Sequence, residues 1–232
     1  SSSLRFRNIN LEQEPIERKI NELYWDASGH FHWIEPLELK GEMSLGLGQA
    51  SGAYLFNAEG ILHTGILGKF SGNWSIVTRR PYMIESALYV MQQLVYQNDF
   101  LNPFTTEIGV GWNWEKQNLV TGIKWLVFDN YIFFNSSRIP QQLENSFSLR
   151  QFHAAKKFDF KWIGLQGNIF WQPDAKEELA IPELIYTAGI YGQINFFKRK
   201  LTVMPGLDFT YHDGFKGLSY FPVTGRFHLT DG

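Results

Sequence analysis

The sequence predicts an all-β fold, an antiparallel up-and-down transmembrane β-barrel of the outer-membrane type, with about ten or eleven strands present. Three observations predict this fold class. Long segments alternate apolar and polar residues, the connections between them alternate between short and long, and aromatic residues gather near the segment ends. Together they indicate strands that meet lipid on one side and water on the other.

Composition excludes several other classes of protein. The 232 residues carry 21 Lys and Arg against 23 Asp and Glu, a net charge of −2, so we expect no nucleic-acid partner. The absence of cysteine excludes disulfides, thiolate zinc sites and a cysteine nucleophile. The longest uncharged stretch, residues 43–58, is too short and too polar for a transmembrane helix.

The alternation is clearest between Leu37 and Gly48, where leucine and methionine side chains occupy one face and acidic or basic side chains the other. Similar segments follow at residues 104–115, 119–127, 183–196 and 201–212. They exceed the usual strand length of soluble sheets and are long enough to cross a bilayer when tilted.

The polar faces carry charges of both signs, which lipid would not accept, so we expect them to line a wet lumen. The candidate lumen-facing residues are Glu38, Lys40, Glu42, Glu107, Lys124, Asp208, Thr210 and His212. Their mixed signs predict a weak ion preference.

The connections form a second pattern. Those at residues 79–103, 130–142, 172–182 and 213–221 are long, and those at residues 115–118, 155–157 and 197–200 are short. Short turns at one rim and long loops at the other are typical of outer-membrane barrels. Residues 37–232 are therefore predicted to form the barrel strands, whereas residues 1–36 show no clear period and fit a plug, an arm or a first strand.

Aromatic residues near the strand ends suggest two interfacial girdles. The candidate girdle residues are Trp112, Trp114, Phe196, Phe197 and Tyr211. The alternative is a lipocalin-like or sandwich domain in which the same aromatic residues fill a core, because alternation alone does not distinguish inside from outside.

Two places interrupt the regular pattern. Phe158, Phe160 and Trp162 share one parity while Ile163 and the apolar residues after it take the other, so a single strand here would need a bulge near Trp162. Pro205 lacks an amide donor inside a regular segment and should lie at a bulge.

No motif supports catalysis, so the sequence predicts neither an enzyme nor a cofactor. His30 and His32 are the only close histidine pair, and they lack the further ligands that a metal site needs. Serine-hydrolase elbows, phosphate loops and dinucleotide fingerprints do not occur. Glu38 with Glu42, or Glu107 with Glu115, resembles an acid and base pair less than it resembles wet lumen lining.

From Arg79 onward the chain is similar to the putative-porin family of Bacteroidetes-type outer membranes. The segments that carry the resemblance, in order, are Arg79-Arg80-Pro81-Tyr82, Tyr96-Gln97-Asn98-Asp99-Phe100, Asp129-Asn130-Tyr131-Ile132-Phe133-Phe134, Pro140-Gln141, Pro182-Glu183-Leu184, Gly206-Leu207-Asp208-Phe209-Thr210-Tyr211 and Tyr220-Phe221-Pro222-Val223-Thr224-Gly225-Arg226-Phe227. The resemblance implies a multi-pass barrel in the cell outer membrane. Family members are longer, and the residues from His228 to Gly232 look like the start of a loop, so we interpret the chain as a fragment or an incomplete barrel.

Three functions follow as hypotheses. The first is a porin-like barrel in the lipid bilayer of the outer membrane that lets small polar solutes pass. The second is a plugged barrel that serves as a structural or docking subunit, with residues 79–103 and their tyrosines folding inward or holding a protein partner. The third is a soluble all-β domain that binds a glycan through its tryptophans.

Overall fold

The computed structural model describes residues 1–13, 16–34, 36–198 and 200–230. Residues 14, 15 and 35 of the unassigned N-terminal segment lie outside the described residues, as do residue 199 and the final pair, Asp231 and Gly232.

Most of the chain forms one antiparallel sheet of eleven strands, so the all-β antiparallel class is confirmed. With strands numbered in chain order, the sheet runs β1 (Ser2–Gln13), β2 (Ile16–Ile34), β3 (Leu37–Gly48), β4 (Tyr54–His63), β5 (Lys69–Thr78), β8 (Phe104–Trp114), β9 (Leu119–Asp129), β12 (Phe147–Asp159), β13 (Ile163–Trp171), β14 (Leu184–Gly192) and β17 (Gly206–His212). The segment left unassigned from the sequence thus contributes β1 and β2, which pair along their whole shared length.

The remaining strands pair in four separate hairpins. They are β6 (Ala87–Val90) with β7 (Gln93–Gln97), β10 (Ile132–Phe134) with β11 (Pro140–Gln142), β15 (Ile194–Phe196) with β16 (Leu201–Val203), and β18 (Leu218–Phe221) with β19 (Arg226–Leu229). One short helix, α1 (Met83–Ser86), precedes β6. Three single 3-10 turns lie at Gly65–Leu67, Glu115–Gln117 and Glu177–Leu179. Among the described residues, no helix has the length and hydropathy needed to span a membrane.

Because consecutive long strands run in opposite directions, the connections fall at two rims. The short-turn rim holds the connections at residues 64–68, 115–118 and 160–162 and the β15–β16 hairpin. The long-loop rim holds residues 49–53, 79–103, 130–146, 172–183 and the β18–β19 hairpin.

The short turn predicted at residues 155–157 is wrong, because those residues lie inside β12. The chain instead reverses at residues 160–162, where the Phe160 amide donates to the Ile163 carbonyl oxygen at 2.8 Å. Residues 158–171 therefore comprise the end of β12, a turn and the whole of β13. Phe158 pairs opposite Leu165, and the change of parity needs no bulge at Trp162. A run of apolar residues on both sides of the reversal concealed the turn.

Pro205 lies between β16 and β17, outside both strands. Its carbonyl oxygen accepts a hydrogen bond from the Gly192 amide at 2.8 Å, at the point where β14 ends and the β15–β16 hairpin begins. The proline thus occupies a break in the ladder, where its missing amide costs no strand hydrogen bond.

The pairing register gives the sheet two faces of opposite character, since side chains alternate along every strand. On β8, Ile108 and Val110 lie on what we call the apolar face, and Glu107 lies on the polar face. Cross-strand neighbours extend both faces: Val110 lies opposite Ile123, and Glu107 opposite Ser75.

Buried side chains are concentrated at the long-loop rim rather than along the sheet. The buried residues that define this core are Ala50, Ala53, Glu85, Leu88, Tyr96, Ile132, Phe134, Phe147, Leu149, Gln172, Ala180, His228 and Leu229. They belong to the long connections, the β18–β19 hairpin or the adjoining strand ends. Over most of its length, the described sheet has no second layer packed on either face.

The edges of the sheet are β1 and β17. Within the described residues each of these strands pairs on one side only, so the observed architecture is an open sheet. The predicted closed barrel therefore goes beyond what the structure shows.

A glycine substitution tests the close approach of loop 49–53 to the sheet. A Cβ atom on Gly46 would lie 2.9 Å from the Ala53 carbonyl oxygen and closer still to that of Ala50, so the backbone must shift. We expect Gly46→Ala to lower the free energy of unfolding by about 1–3 kcal/mol, as overpacking does. The measurement is the urea concentration at which half of the protein is unfolded, read from the intensity of the folded band on gels of unheated samples.

Gly29→Ala is the matched control, because nothing lies within 4 Å of the Cβ position there. Equal midpoints for the two variants would contradict the described packing of loop 49–53.

Candidate functional site

The polar face is the first part of the candidate site. The register places every predicted lumen-facing residue on it: Glu38, Lys40, Glu42, Glu107, Lys124, Asp208, Thr210 and His212. Asn57 and Ser75 link Glu42 to Glu107 across β4 and β5, and Gly189 lies opposite Asp208. That this face lines a lumen remains a prediction.

Most charges on this face are paired across neighbouring strands. Lys124 Nζ lies 2.8 Å from the Glu107 carboxylate, which also accepts a hydrogen bond from Asn73 at 2.8 Å. Lys40 lies 3.8 Å from Glu59. His63 Nε2 lies 3.1 Å from the Glu38 carboxylate. Such half-exposed pairs add little stability, but they neutralise most of the charge on the face.

Two carboxylates on the polar face stand apart from these pairs. Within the described part of the chain, neither Glu42 nor Asp208 has an ion-pair or hydrogen-bond partner for its side chain. They leave the face with an uncompensated negative charge.

The apolar face carries large exposed side chains along the whole sheet. Examples with at least two-fifths of their surface exposed are Leu39, Trp74, Ile108, Val110, Trp125, Ile190, Leu207 and Phe209. Among the side chains that the structure describes, two basic residues of this face are tied to the rims: Arg150 binds Asp174 of a long loop, and Lys156 donates to the Gln117 carbonyl oxygen in a short turn. A continuous exposed apolar surface of this size marks an interaction with lipid or protein.

The candidate girdle residues lie near the two rims. Trp112 and Trp114 end β8 and donate to the Leu67 and Ile66 carbonyl oxygens at 2.7 and 3.0 Å. Phe196 and Phe197 lie at the tip of the β15–β16 hairpin on the same rim, whereas Tyr211 lies toward the long-loop rim. That these residues form interfacial girdles remains a prediction.

The second part of the site is a group of loops that covers one end of the polar face. We call the segments at residues 79–103, 130–146, 172–183 and 213–230 the loop layer. Near the long-loop rim, the polar-face positions become apolar at Phe128, Phe147 and Leu149, and Leu149 is only 2% exposed. Tyr131 of the loop layer packs edge-on against both phenylalanines, with ring centroids 5.7 and 5.8 Å away.

A buried carboxylate organises the first segment of the loop layer. Glu85, only 4% exposed, binds the Arg79 guanidinium through two hydrogen bonds of 2.7 and 2.9 Å. It also accepts the Tyr82 amide at 2.7 Å. Burial, together with the nearby Glu85 charge, raises the pKa of Tyr96 to about 12, and its hydroxyl donates to the Ile84 carbonyl oxygen.

Polar contacts join the segments of the loop layer to one another. The Gln142 amide donates to the Leu101 and Asn130 carbonyl oxygens at 2.8 and 2.9 Å. Lys216 lies 2.7 Å from Glu177, and the Arg226 guanidinium lies 4.5 Å from the centre of the Tyr82 ring. The loops therefore pack together as one unit and are not separate surface loops.

The ion pair between Arg150 and Asp174 fastens the loop layer to β12. Two hydrogen bonds of 2.6 and 2.9 Å join the side chains, and they hold the pKa of the Asp174 carboxyl below its usual range. Within the described residues, no group of three or more His, Asp or Glu side chains is placed to hold a metal ion.

Sequence reasoning did not find the packing of the loop layer onto the polar face. The available signal was the unbroken apolar run from Trp125 to Phe128, which breaks the alternation just where the loop layer covers the polar face.

Glu85→Ala tests the role of the buried carboxylate. It leaves the Arg79 guanidinium and the Tyr82 amide without their acceptor, which costs about 1–3 kcal/mol. We therefore expect trypsin to cleave after Arg79 about tenfold faster, because cleavage follows the population of the opened loop. The measurement is the cleavage rate of the folded protein in detergent.

Glu144→Ala provides the control, since Glu144 is an exposed carboxylate in a neighbouring loop. Cleavage rates that are equal in both variants and the parent protein would show that Glu85 does not hold the loop in place.

Comparison with known proteins gives one match. A family model described as a putative porin matches residues 2–232. No curated protein matches the chain, and no solved structure does so either.

Proposed function

We propose that this chain, which belongs to the putative porin family, forms an outer-membrane β-barrel that lets small polar solutes pass by diffusion. Membership of a porin family favours an outer-membrane location and a role without catalysis. The closed barrel and the passage of solutes through it are what the proposal adds to family membership.

The observation that carries the proposal is the separation of the two sheet faces. One face exposes large apolar side chains that suit lipid, and the other carries charged and hydroxyl side chains that suit water. The backbone groups between them are satisfied by the strand ladders, as a membrane interior requires. Rolling the sheet with its polar face inward would produce a wet passage.

Strand direction constrains how such a barrel closes. Both edge strands, β1 and β17, run toward the long-loop rim, so direct pairing between them would be parallel. Bacterial outer-membrane barrels contain an even number of antiparallel strands. Antiparallel closure would therefore take an odd number of further strands between β17 and β1.

The orientation of the proposed barrel in the outer membrane follows from its two rims. Outer-membrane barrels place short turns in the periplasm and long loops outside the cell. We therefore assign the loop layer to the cell exterior and Trp112 and Trp114 to the periplasmic membrane interface.

A plugged barrel that docks a protein partner is the second candidate. The loop layer favours it, because Tyr131 and its neighbours cover the polar face at one end. The exposed tip of the β6–β7 hairpin, with Met91 94% exposed, offers the partner an apolar contact from residues 79–103. The soluble glycan-binding domain is less favoured, because such a domain would have to expose the entire apolar face to water.

Ion selectivity tests whether the polar face lines the passage. The unpaired Glu42 should attract cations, so Glu42→Gln should shift the reversal potential toward anions. The measurement is the reversal potential of the full chain in a planar bilayer under a KCl gradient, after heat-dependent gel migration has shown that it is folded.

Glu144→Gln removes the same charge from an exposed loop and should leave the potential unchanged. Stable stepwise currents with no shift in Glu42→Gln would place that side chain outside the conduction path. A folded, inserted and silent protein would favour the plugged barrel.

A further inference from the structure

A depression in the polar face lies near the short-turn rim, away from the loop layer. Its volume is about 530 Å³, within the range of roughly 300–1,000 Å³ typical of small-molecule sites. It extends across β12, β13, β14 and β17, and small residues, Ala155 and Gly189, lie among its lining. A Cβ atom on Gly189 would lie 2.6 Å from the Asp208 carboxylate and 2.9 Å from the Gln166 amide. Because glycine has no side chain, Asp208 and Gln166 can both lie against the backbone of β14 at this position.

Several hydrogen-bonding groups in this depression are unused. Asn168 Oδ1 is buried and has no hydrogen-bond partner. Thr187 and Thr210 follow Asn168 in the same cross-strand row. In the described part of the chain, the side chains of these threonines and of Asp208 make no hydrogen bond to protein groups.

Several other charged groups of the polar face are paired. Lys40 and Lys124, for example, are each joined to a glutamate on a neighbouring strand. Lys157, at the margin of the depression, is also engaged, since its ammonium group lies 3.3 Å from Asp159. The neighbouring Lys156 belongs to the apolar face, where it donates to the Gln117 carbonyl oxygen. Glu42 is also without a partner, but the free groups of the depression lie together where the face is also hollow.

The chemistry of these groups selects the kind of ligand. Asn168 Oδ1 and the Asp208 carboxylate accept hydrogen bonds, and the threonine hydroxyls both donate and accept. A ligand rich in hydroxyl groups matches these donors and acceptors in kind. The free carboxylate of Asp208 repels anions, and the nearby Lys157 is already paired with Asp159.

We propose that this depression binds a neutral polyhydroxylated solute, a mono- or disaccharide, through Asn168, Asp208 and the Thr187–Thr210 row. The His153 ring forms part of the wall, and its stacking on Phe170, with centroids 4.4 Å apart, fixes its orientation. The inference rests on the proposed function, in which this face lines the solute path and the depression is a resting site along it.

Binding of maltose to the folded full chain in detergent micelles, measured by isothermal titration calorimetry, tests the proposal. We expect saturable binding that weakens about five- to tenfold in both Asn168→Ala and Asp208→Asn, as expected for the loss of one hydrogen bond to a ligand. Two control variants match these changes outside the depression: Asn57→Ala on the same face and Glu144→Gln in an exposed loop should bind as the parent does.

No saturable binding by the folded parent, equal weakening in the controls, or binding of choline in preference to maltose would overturn the proposal. Because calorimetry does not require an open pore, bilayer conductance separates the two claims. If the protein binds maltose but conducts no current, the proposed saccharide site stands and the proposed pore is wrong. If the protein conducts current but does not bind maltose, only the proposed saccharide site is wrong.

Discussion

The separation of apolar and polar side chains by the twofold period of a strand is the constraint on which the structure depends. Each strand presents one row to each face, and the antiparallel register keeps rows such as Glu42, Asn57, Ser75 and Glu107 together across the sheet. The sheet therefore needs no second layer to hold it, since its backbone is satisfied by the ladders. Its apolar face requires an apolar environment, and membership of the putative porin family agrees with a membrane.

The loop layer supplies the packed core that the sheet lacks. Its stability rests on buried polar contacts as well as on apolar burial, with Glu85 held by Arg79 and the layer fastened to β12 through Arg150 and Asp174. This arrangement divides the polar face into an occluded end and an open end. Under the proposed function, the open end offers unpaired groups to a solute, while the occluded end narrows the path or closes it.

The sequence predicted what local alternation controls and missed what tertiary contact controls. The strands from Leu37 to Gly48 and from Phe104 to Trp114 were visible because large apolar and charged residues alternate there. In β2 the apolar row includes Ala27 and Gly29, which give little contrast with the polar row, so the sequence shows no clear period there. The loop layer was not visible because its segments come from distant parts of the chain and have no common period. The unpaired state of Asn168 likewise depends on neighbours from three strands.

The most direct test of the central claim is an accessibility scan by electron paramagnetic resonance along β8 in lipid bilayers. The chain has no cysteine, so single cysteines at residues 106–111 can each carry one spin label. The account predicts that labels at Ile108 and Val110 contact lipid-soluble oxygen, while labels at Glu107, Gly109 and Gly111 contact a water-soluble nickel chelate. Accessibility without this twofold alternation, or with the two faces reversed, would contradict the account.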